Sequence, residues 1–361
     1  MNSLFRPRKA KLALLVAAHC EELVLERTLR SAVRAGMRPQ DIYVVDDNSS
    51  DSTSEVARRV LPAQNVHKVR RSGKGLALTK ASKKFRLPQR YQWIHIADAD
   101  GGFAPDYFKI FRRELDTKYA AATGYVRALP GNNISQFRVF EYTIGMEIHR
   151  RFQALAHTVS VIPGPTSCFR SDVFTKVNFA NQSLTEDLDV TLQIHRRRLG
   201  HIQFISKAVA YTQDPKNLHD FSRQITRWNR GVAQAMRRHK IGRRAQRIDF
   251  YLSYQVLQNF LFLLSYAVIV PYLTIQRRSI SVLAMTFLFD ALLTFVLTFL
   301  VGLRSQRMDI LSAFPVIYVL RWVVMYIFLK AFFEVFVLRK FKVSEGIWNT
   351  PSRYKTETTL Q

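Results

Sequence analysis

The chain has 361 residues, 48% of them hydrophobic, with 54 Lys and Arg against 27 Asp and Glu and a formal net charge of +27. Length and apolar content exclude a disordered chain and leave room for one large domain or two ordinary ones. Cys20 and Cys168 lie outside any metal-ligand spacing and are too few for a disulfide framework, so the charge is the informative feature, and it invites nucleic acid, an anionic membrane or phosphorylated substrates.

In chain order, the basic start Met1 to Lys11 is followed by a short apolar run and then by His19 and Glu21. No secretory signal is expected, and the front half is expected to stay in the cytosol. Leu12 to Ala18 and Ile42 to Val45 have the short, continuous apolar character of strands buried on both faces. Between them Leu25, Leu29, Ala32 and Val33 fall at helical spacing, which makes a strand–helix–strand unit, the building block of an open α/β sheet. Trp93 to Ala97 is a further strand that ends directly before Asp98.

Hydropathy divides the chain near residue 248, with 43 Lys/Arg against 21 Asp/Glu before it and 11 against 6 after it. From Phe250 to Gln276 no residue is charged, and about 20 apolar residues suffice to cross a bilayer. Ser279 to Leu303 is a second such stretch, interrupted only by Asp290. A third, Ile310 to Leu338, carries Arg321, Lys330 and Glu334; such charges either face protein or snorkel from a tilted, partly interfacial helix, and the sequence leaves both open. Three crossings would place the tail outside, whereas Arg339, Lys340, Lys342, Arg353 and Lys355 belong inside, so the expectation is two to three spans.

Four groups of residues carry chemistry. Asp46 and Asp47 follow the second strand and open a Ser/Asn/Thr-rich turn, which also reads as ordinary N-cap chemistry. Asp98 and Asp100 put two hard carboxylates one residue apart at a strand's carboxyl end, where open α/β sheets bind ligands and where Mg2+ or Mn2+ finds suitable oxygens. Thr185-Glu186-Asp187 opens an apolar helix that closes on basic residues and Gly200, and it presents a carboxylate fit for general base work. Gln224, Arg227 and Trp228 share a helical face, with Arg suited to a diphosphate and Trp to a sugar ring; alone, the segment reads as an interfacial amphipathic helix.

In this order and at these spacings the motifs resemble the membrane-bound family 2 glycosyltransferases, the group of hyaluronan, cellulose, chitin and poly-N-acetylglucosamine synthases. The resemblance covers roughly residues 12 to 231. It implies a GT-A-like, doubly wound, mostly parallel open sheet followed by an α-helical transmembrane region. Glu21 and Asp47 would line the nucleotide pocket, Lys74 would lie near the phosphates, and Asp98 and Asp100 would hold the metal, with Asp98 also touching the donor nucleotide. Asp187 would be the catalytic base, and Glu186, Gln224, Arg227 and Trp228 would serve the diphosphate and acceptor. Gly164 to Arg170 resembles the acceptor-side segment. The family's P-x-x-N-E opening reads Ala17-Ala18-His19-Cys20-Glu21 here, without Pro or Asn.

The expected organisation is a cytosolic catalytic domain at 1–222, a basic amphipathic interfacial segment at 223–248, membrane helices at 249–340 and a basic tail at 341–361. The expected activity is inverting transfer from an NDP-sugar, a UDP-hexose or UDP-N-acetylhexosamine, onto a growing polysaccharide at the cell membrane, with a further subunit for export. Single transfer to a lipid carrier or glycolipid is the alternative. A membrane-tethered nucleic-acid-binding protein is the distant one; no helix-turn-helix, zinc finger or RNA-binding signature supports it. The nine Lys/Arg between Arg223 and Arg247, with no acid among them, suit a juxtamembrane collar on anionic lipid, so no nucleic acid is expected.

Overall fold

Three apolar runs of the front half, β1 (Leu12–Ala18), β2 (Ile42–Asp46) and β4 (Trp93–Asp98), form parallel neighbours in one sheet together with the short β3 (Val66–Lys68). This is a computed structural model in which residues 10–129, 131–180, 183–339 and 354 are described. The sheet continues through β5 (Gly102–Phe103), β6 (Ala121–Ala128), β7 (Ser167–Arg170) and β8 (Ile202–Thr212), in the order β3-β2-β1-β4-β7-β6-β8-β5. β7 runs antiparallel to β4 and to β6, and β5 antiparallel to β8. The mostly parallel half is the one read from the apolar runs. Leu12 to Val16 are all buried, as expected of strands covered on both faces.

Register decides where the acids go. Ala18 pairs with Asp46, and Ala17 with Asp98, so the carboxyl ends of β1, β2 and β4 form one edge. The helix Leu25–Arg34 buries Leu25, Leu29 and Ala32 against this sheet, in a core that also holds Val44, Trp93, Phe108 and Phe111.

The chain folds as two compact units. The sheet unit takes residues up to 127, residues 161–213 and Tyr354. The second unit takes residues 128–160 together with the chain from Asp214 onward. The segment 128–160, which precedes the hydropathy break, thus joins the C-terminal helices. It forms one continuous helix with a wider π-helical turn in its middle: Asn133–Ile144, Gly145–Arg150 and Arg151–Ala156. Asn132 caps it by accepting from the Ser135 N–H.

In this second unit three helices are long and apolar enough to cross a membrane: Arg247–Gln276, Ile280–Ser305 and Met308–Phe336. Several of their charges are paired within the unit. Arg321 reaches Asp290 at 3.2 Å and also donates to Thr294, while Glu334 pairs with Arg230 at 2.5 Å. Two of the third stretch's three charges therefore face protein, as an intramembrane charge requires. Lys330 is exposed.

The helix Leu218–Arg238 carries the first part of the segment expected at 223–248. Phe221, Ile225, Ala233, Ala235 and Met236 are buried, and Leu218 is its one exposed large hydrophobic residue. Its apolar face is turned inward onto the Phe314–Phe336 helix, leaving Arg223, Arg237 and Arg238 outside. The basic tail expected at 341–361 lies outside the described residues except for Tyr354, whose carbonyl accepts from Gln213 Nε2 at 2.8 Å.

Candidate active site

At the carboxyl edge of the parallel strands, Asp46 and Asp47 do different work. Asp46 is fully buried and accepts from the Ser49 N–H at 2.7 Å and from the Ser54 hydroxyl at 2.5 Å, which folds the turn after β2. Asp47 Oδ1 accepts from the Ser72 N–H at 2.7 Å, and its Oδ2 accepts from the Gly73 N–H at 2.8 Å. A carboxylate in the second strand's exit thus fixes the start of the helix Lys74–Lys84. Glu21, expected in the same pocket, is buried, and its N–H donates to the Thr53 hydroxyl at 2.8 Å.

That helix delivers Lys74 to the strand edge. The Lys74 ammonium lies 2.6 Å from Asp98 Oδ1 and 2.7 Å from Glu186 Oε1. Close approach makes this possible at two glycines: a Cβ on Gly75 would stand 1.8 Å from the Phe179 carbonyl oxygen, and one on Gly164 would stand 2.5 Å from Asp98 Oδ2. The glycine-containing segment before β7 is therefore pressed onto the Asp98 carboxylate. Burial works to lower the Lys74 pKa, but Asp98 and Glu186 outweigh it and hold the ammonium protonated well above the ordinary lysine value.

Asp187 follows Glu186 in the first turn of the helix Glu186–Arg196. Its Oδ1 accepts from the Leu188 N–H at 2.8 Å, and its carbonyl accepts from the Thr191 hydroxyl at 2.6 Å. A helix N-terminus ordinarily favours a carboxylate. Here burial, reinforced by the negative charges of Glu186 and Asp98 and only partly offset by Lys74, pushes Asp187 up to about 6. Such a group is ionised at neutral pH yet basic enough to take a proton from a hydroxyl in a transition state.

Asp100 lies on the turn after β4, which the first helix pins. Arg27 donates to the Asp100 carbonyl at 3.1 Å, and the Thr28 hydroxyl reaches the carbonyls of Ala99 and Gly101, each at 2.8 Å. Among the described residues, no group of three or more His, Cys, Asp or Glu side chains is arranged to hold a metal ion. Of the two carboxylates expected to hold one, Asp98 has its Oδ1 2.6 Å from the Lys74 ammonium.

Gln224, Arg227 and Trp228 belong to the second unit, on Leu218–Arg238. Two of them meet on Arg138, a residue the sequence reading did not single out. Arg138 is 1% exposed; it donates to Gln224 Oε1 at 2.5 Å and stacks on Trp228 with its guanidinium 4.8 Å from the ring centroid. It also pairs with Glu141 at 2.8 Å and Asp214 at 3.7 Å, and the Tyr142 hydroxyl donates to Asp214 at 3.2 Å. The signal in the sequence was an arginine set between Phe137 and Val139 inside an apolar run.

Residues 7–231 match the family described as "Glycosyltransferase like family 2". The chain is 27% identical over 271 residues to a probable glycosyltransferase, YdaM, of Bacillus subtilis, covering 70% of this chain and 63% of that protein. It is 26% identical over 231 residues to the poly-beta-1,6-N-acetyl-D-glucosamine synthase of Staphylococcus aureus, covering 62% of this chain and 55% of that one. The chain thus spans less than two thirds of the length of these relatives. Among solved structures, a mannosyltransferase from Pyrobaculum calidifontis in complex with GDP-Man and Mn2+ superposes with a TM-score of 0.60 at 16% identity, over 86% of this chain and 87% of that one, which shows a shared GT-A fold. With the family match extending over more than half its length, the chain belongs to glycosyltransferase family 2.

Proposed function

We propose that the protein is an inverting glycosyltransferase that moves a sugar from a nucleoside-diphosphate donor, a UDP-hexose or UDP-N-acetylhexosamine, onto a growing polysaccharide at the membrane. One observation carries the reading: Asp187, held up to about 6, stands beside the Lys74–Asp98–Glu186 cluster at the strand edge where α/β sheets bind ligands.

In this mechanism Asp187 accepts the proton of an acceptor hydroxyl, whose oxygen forms a bond to the anomeric carbon as the bond to the donor diphosphate breaks on the opposite face. Lys74 offsets negative charge gathering on the departing diphosphate, the kind of fixed electrostatic contribution that usually dominates. Arg227 serves the same charge. Glu21 and Asp47 shape the nucleotide pocket, Asp47 through the Ser72–Gly73 backbone it holds. Trp228, seated on Arg138, offers a rigid ring to an acceptor sugar.

The donor set suits a divalent ion. Two hard carboxylates on a pinned turn leave the rest of an octahedral shell to phosphate oxygens and water, the usual arrangement for Mg2+ or Mn2+. Such an ion, held by Asp98 and Asp100, would supply positive charge to the donor diphosphate. That the fold neighbour was solved with Mn2+ supports testing manganese first.

The polymer acceptor is favoured by the buttressed Gln224–Trp228 face and by the polymer synthase that the Staphylococcus relative is named as. The three apolar helices support a multi-pass membrane protein, and the basic residues between 223 and 247 favour a cytosolic catalytic unit. The test is a panel of UDP-sugars with GDP-mannose as control, each with Mn2+, Mg2+ or chelator, read as nucleotide release and as product length. A ladder of long chains from one UDP-sugar, abolished by chelator, is the expected result. A single organic-soluble product would assign the lipid-linked alternative, and release unaffected by chelator would remove the metal.

A further inference from the structure

At the amino ends of β2 and β3, the opposite ends of these strands from the carboxylate edge, lies a cavity of about 430 Å³. Three elements enclose it: the turn before β2, with Gln40; the turn before β3, with Gln64 and Asn65; and the C-terminus of the helix Lys74–Lys84, with Lys84, Phe85 and Arg86. Asn65 ties the first two together, its Nδ2 donating to the carbonyls of Gln40 at 3.1 Å and Ile42 at 2.9 Å. The floor is a pair of rings, Tyr43 and Phe85, with centroids 4.8 Å apart.

Every charged side chain that lines the cavity is basic: Lys84, Arg86 and Arg90. All three are exposed, and among the described residues none of them pairs with a carboxylate. Arg90 is held in place. Its Nη1 donates to the Phe85 carbonyl at 3.2 Å, and its guanidinium lies 5.6 Å from the Tyr43 ring centroid and 5.5 Å from that of Tyr91. Three cations around one concavity repel each other and focus a positive field into it, which favours an entering anion. A helix C-terminus attracts cations on its own account, and Lys83 and Lys84 already occupy the last turn. Arg86 goes further. Its φ of 50° is left-handed backbone, where Gly is favoured at the end of a helix and a larger side chain is strained. A cation at that position, on the rim of the cavity, is explained by what it binds rather than by the turn it makes.

We infer that this cavity is a second, non-catalytic binding site for a small organic phosphate of nucleotide size. Lys84 and Arg86 hold the phosphate through charge-assisted hydrogen bonds. The exposed amides of Gln40 and Gln64, which both donate and accept, meet the polar body of a base or sugar. The volume lies in the range of small-molecule sites. The site is separate from the carboxylate edge: the helix Lys74–Lys84 alone places Lys84 about 15 Å along its axis from Lys74.

The test uses the full chain in phosphatidylcholine nanodiscs, in a Cys20→Ser background because Cys20 is the exposed cysteine and Cys168 is buried. Exposed Ala63, next to the cavity-lining Pro62 and Gln64, is replaced by cysteine (Ala63→Cys) and carries an environment-sensitive fluorophore. It is titrated with UDP, GDP, glucose 1-phosphate, pyrophosphate and sulfate, with chelator present to suppress metal-dependent binding at the proposed donor site. The expected result is a saturable change in which at least one organic phosphate binds about tenfold tighter than pyrophosphate or sulfate; the tightest of them tells a nucleotide from a sugar phosphate. Lys84→Gln and Arg86→Gly should each weaken that binding by about tenfold. Because Arg86→Gly also relieves left-handed strain, its denaturation midpoint should equal or exceed the parent's, which separates lost binding from lost fold. Binding unchanged in Arg86→Gly, equal responses to sulfate, pyrophosphate and the organic phosphates, or no saturable response to any of them would overturn the inference. A response to phosphatidylglycerol in the nanodisc, with none to the soluble phosphates, would assign the basic rim to the membrane surface and overturn it likewise.

Discussion

Two regions of this protein each gather carboxylates around one cation, half-buried in the first and fully buried in the second, and they do so to opposite ends. Around Lys74 stand Asp98, Glu186 and, beyond them, Asp187, on side chains that keep 18%, 30% and 14% exposure for Lys74, Asp98 and Glu186. Around Arg138 stand Glu141 and Asp214, with Gln224 and two rings, Phe221 and Trp228, stacked on a guanidinium that is 1% exposed. Lysine is a compact point charge; arginine is a rigid fork with five donors and two stacking faces. The arginine cluster is therefore sealed and shared among many partners. The lysine cluster is left with more negative charge than one ammonium cancels, and that charge adds to burial in raising Asp187. Both clusters hold more carboxylates than cations; the sealed one holds structure, whereas the one at an open edge can bind a further cation and take a proton.

The largest change to this contrast comes from removing Lys74. Lys74→Ala should lower transfer by about 10²- to 10³-fold through lost charge stabilisation, and because the ammonium holds Asp187 down, the acid limb of the remaining activity should move to higher pH; an unshifted pH–rate profile would show that the two groups do not interact.

Arg138→Met should be as damaging to the fold as Lys74→Ala is to chemistry. It leaves Glu141 and Asp214 buried without their cation, a loss of about 3–5 kcal/mol, read as a lower denaturation midpoint. Arg138→Lys keeps the charge and loses the fork and the stacking, and it should fold but make shorter products. Unchanged product length would separate Arg138 from the acceptor. Trp228→Ala should weaken acceptor binding by about tenfold or less, the range of a stacked aromatic contact, with donor KM unchanged.

The smallest and most graded effect is pH itself. With Asp187 at about 6 and active as the ionised base, kcat/KM should fall about tenfold per unit below that value. The same shift acts on stability with a defined sign. The folded carboxyl binds its proton more tightly than the ordinary value of 3.8, so between about 4 and 6 the native state holds more protons than the unfolded one, and this group's contribution falls as pH rises through that window. Asp187→Asn removes the penalty, and its midpoint at neutral pH should rise by a few degrees, about what 1 kcal/mol produces.

The parallel half of the sheet was legible because strands buried on both faces are written as continuous apolar runs, and acids directly after them fall at one edge whatever the rest of the fold does. Asp98 could be named for the same reason, Asp187 from the acidic first turn of an apolar helix, and Lys74 from the family resemblance alone. What stayed hidden was pairing over long sequence separations. Nothing local shows that Asp47 holds the Ser72–Gly73 backbone, that Gly164 abuts Asp98, or that Arg138 finds Asp214. Among the antiparallel strands, Gly102–Phe103 and Ser167–Arg170 were missed because they are too short to show a period. The allegiance of 133–156 was missed because a hydropathy break marks where apolar composition begins, not which earlier helix packs against it.

The account rests on Asp187 acting as the base at a donor site that forms without it. Sugar transfer and UDP-sugar binding measured on one preparation of Asp187→Asn test this most directly. The predicted result is transfer reduced about 10³-fold or more with donor affinity within a factor of a few of the parent. Transfer at the parental rate, or donor binding lost together with transfer in a folded variant, would contradict it.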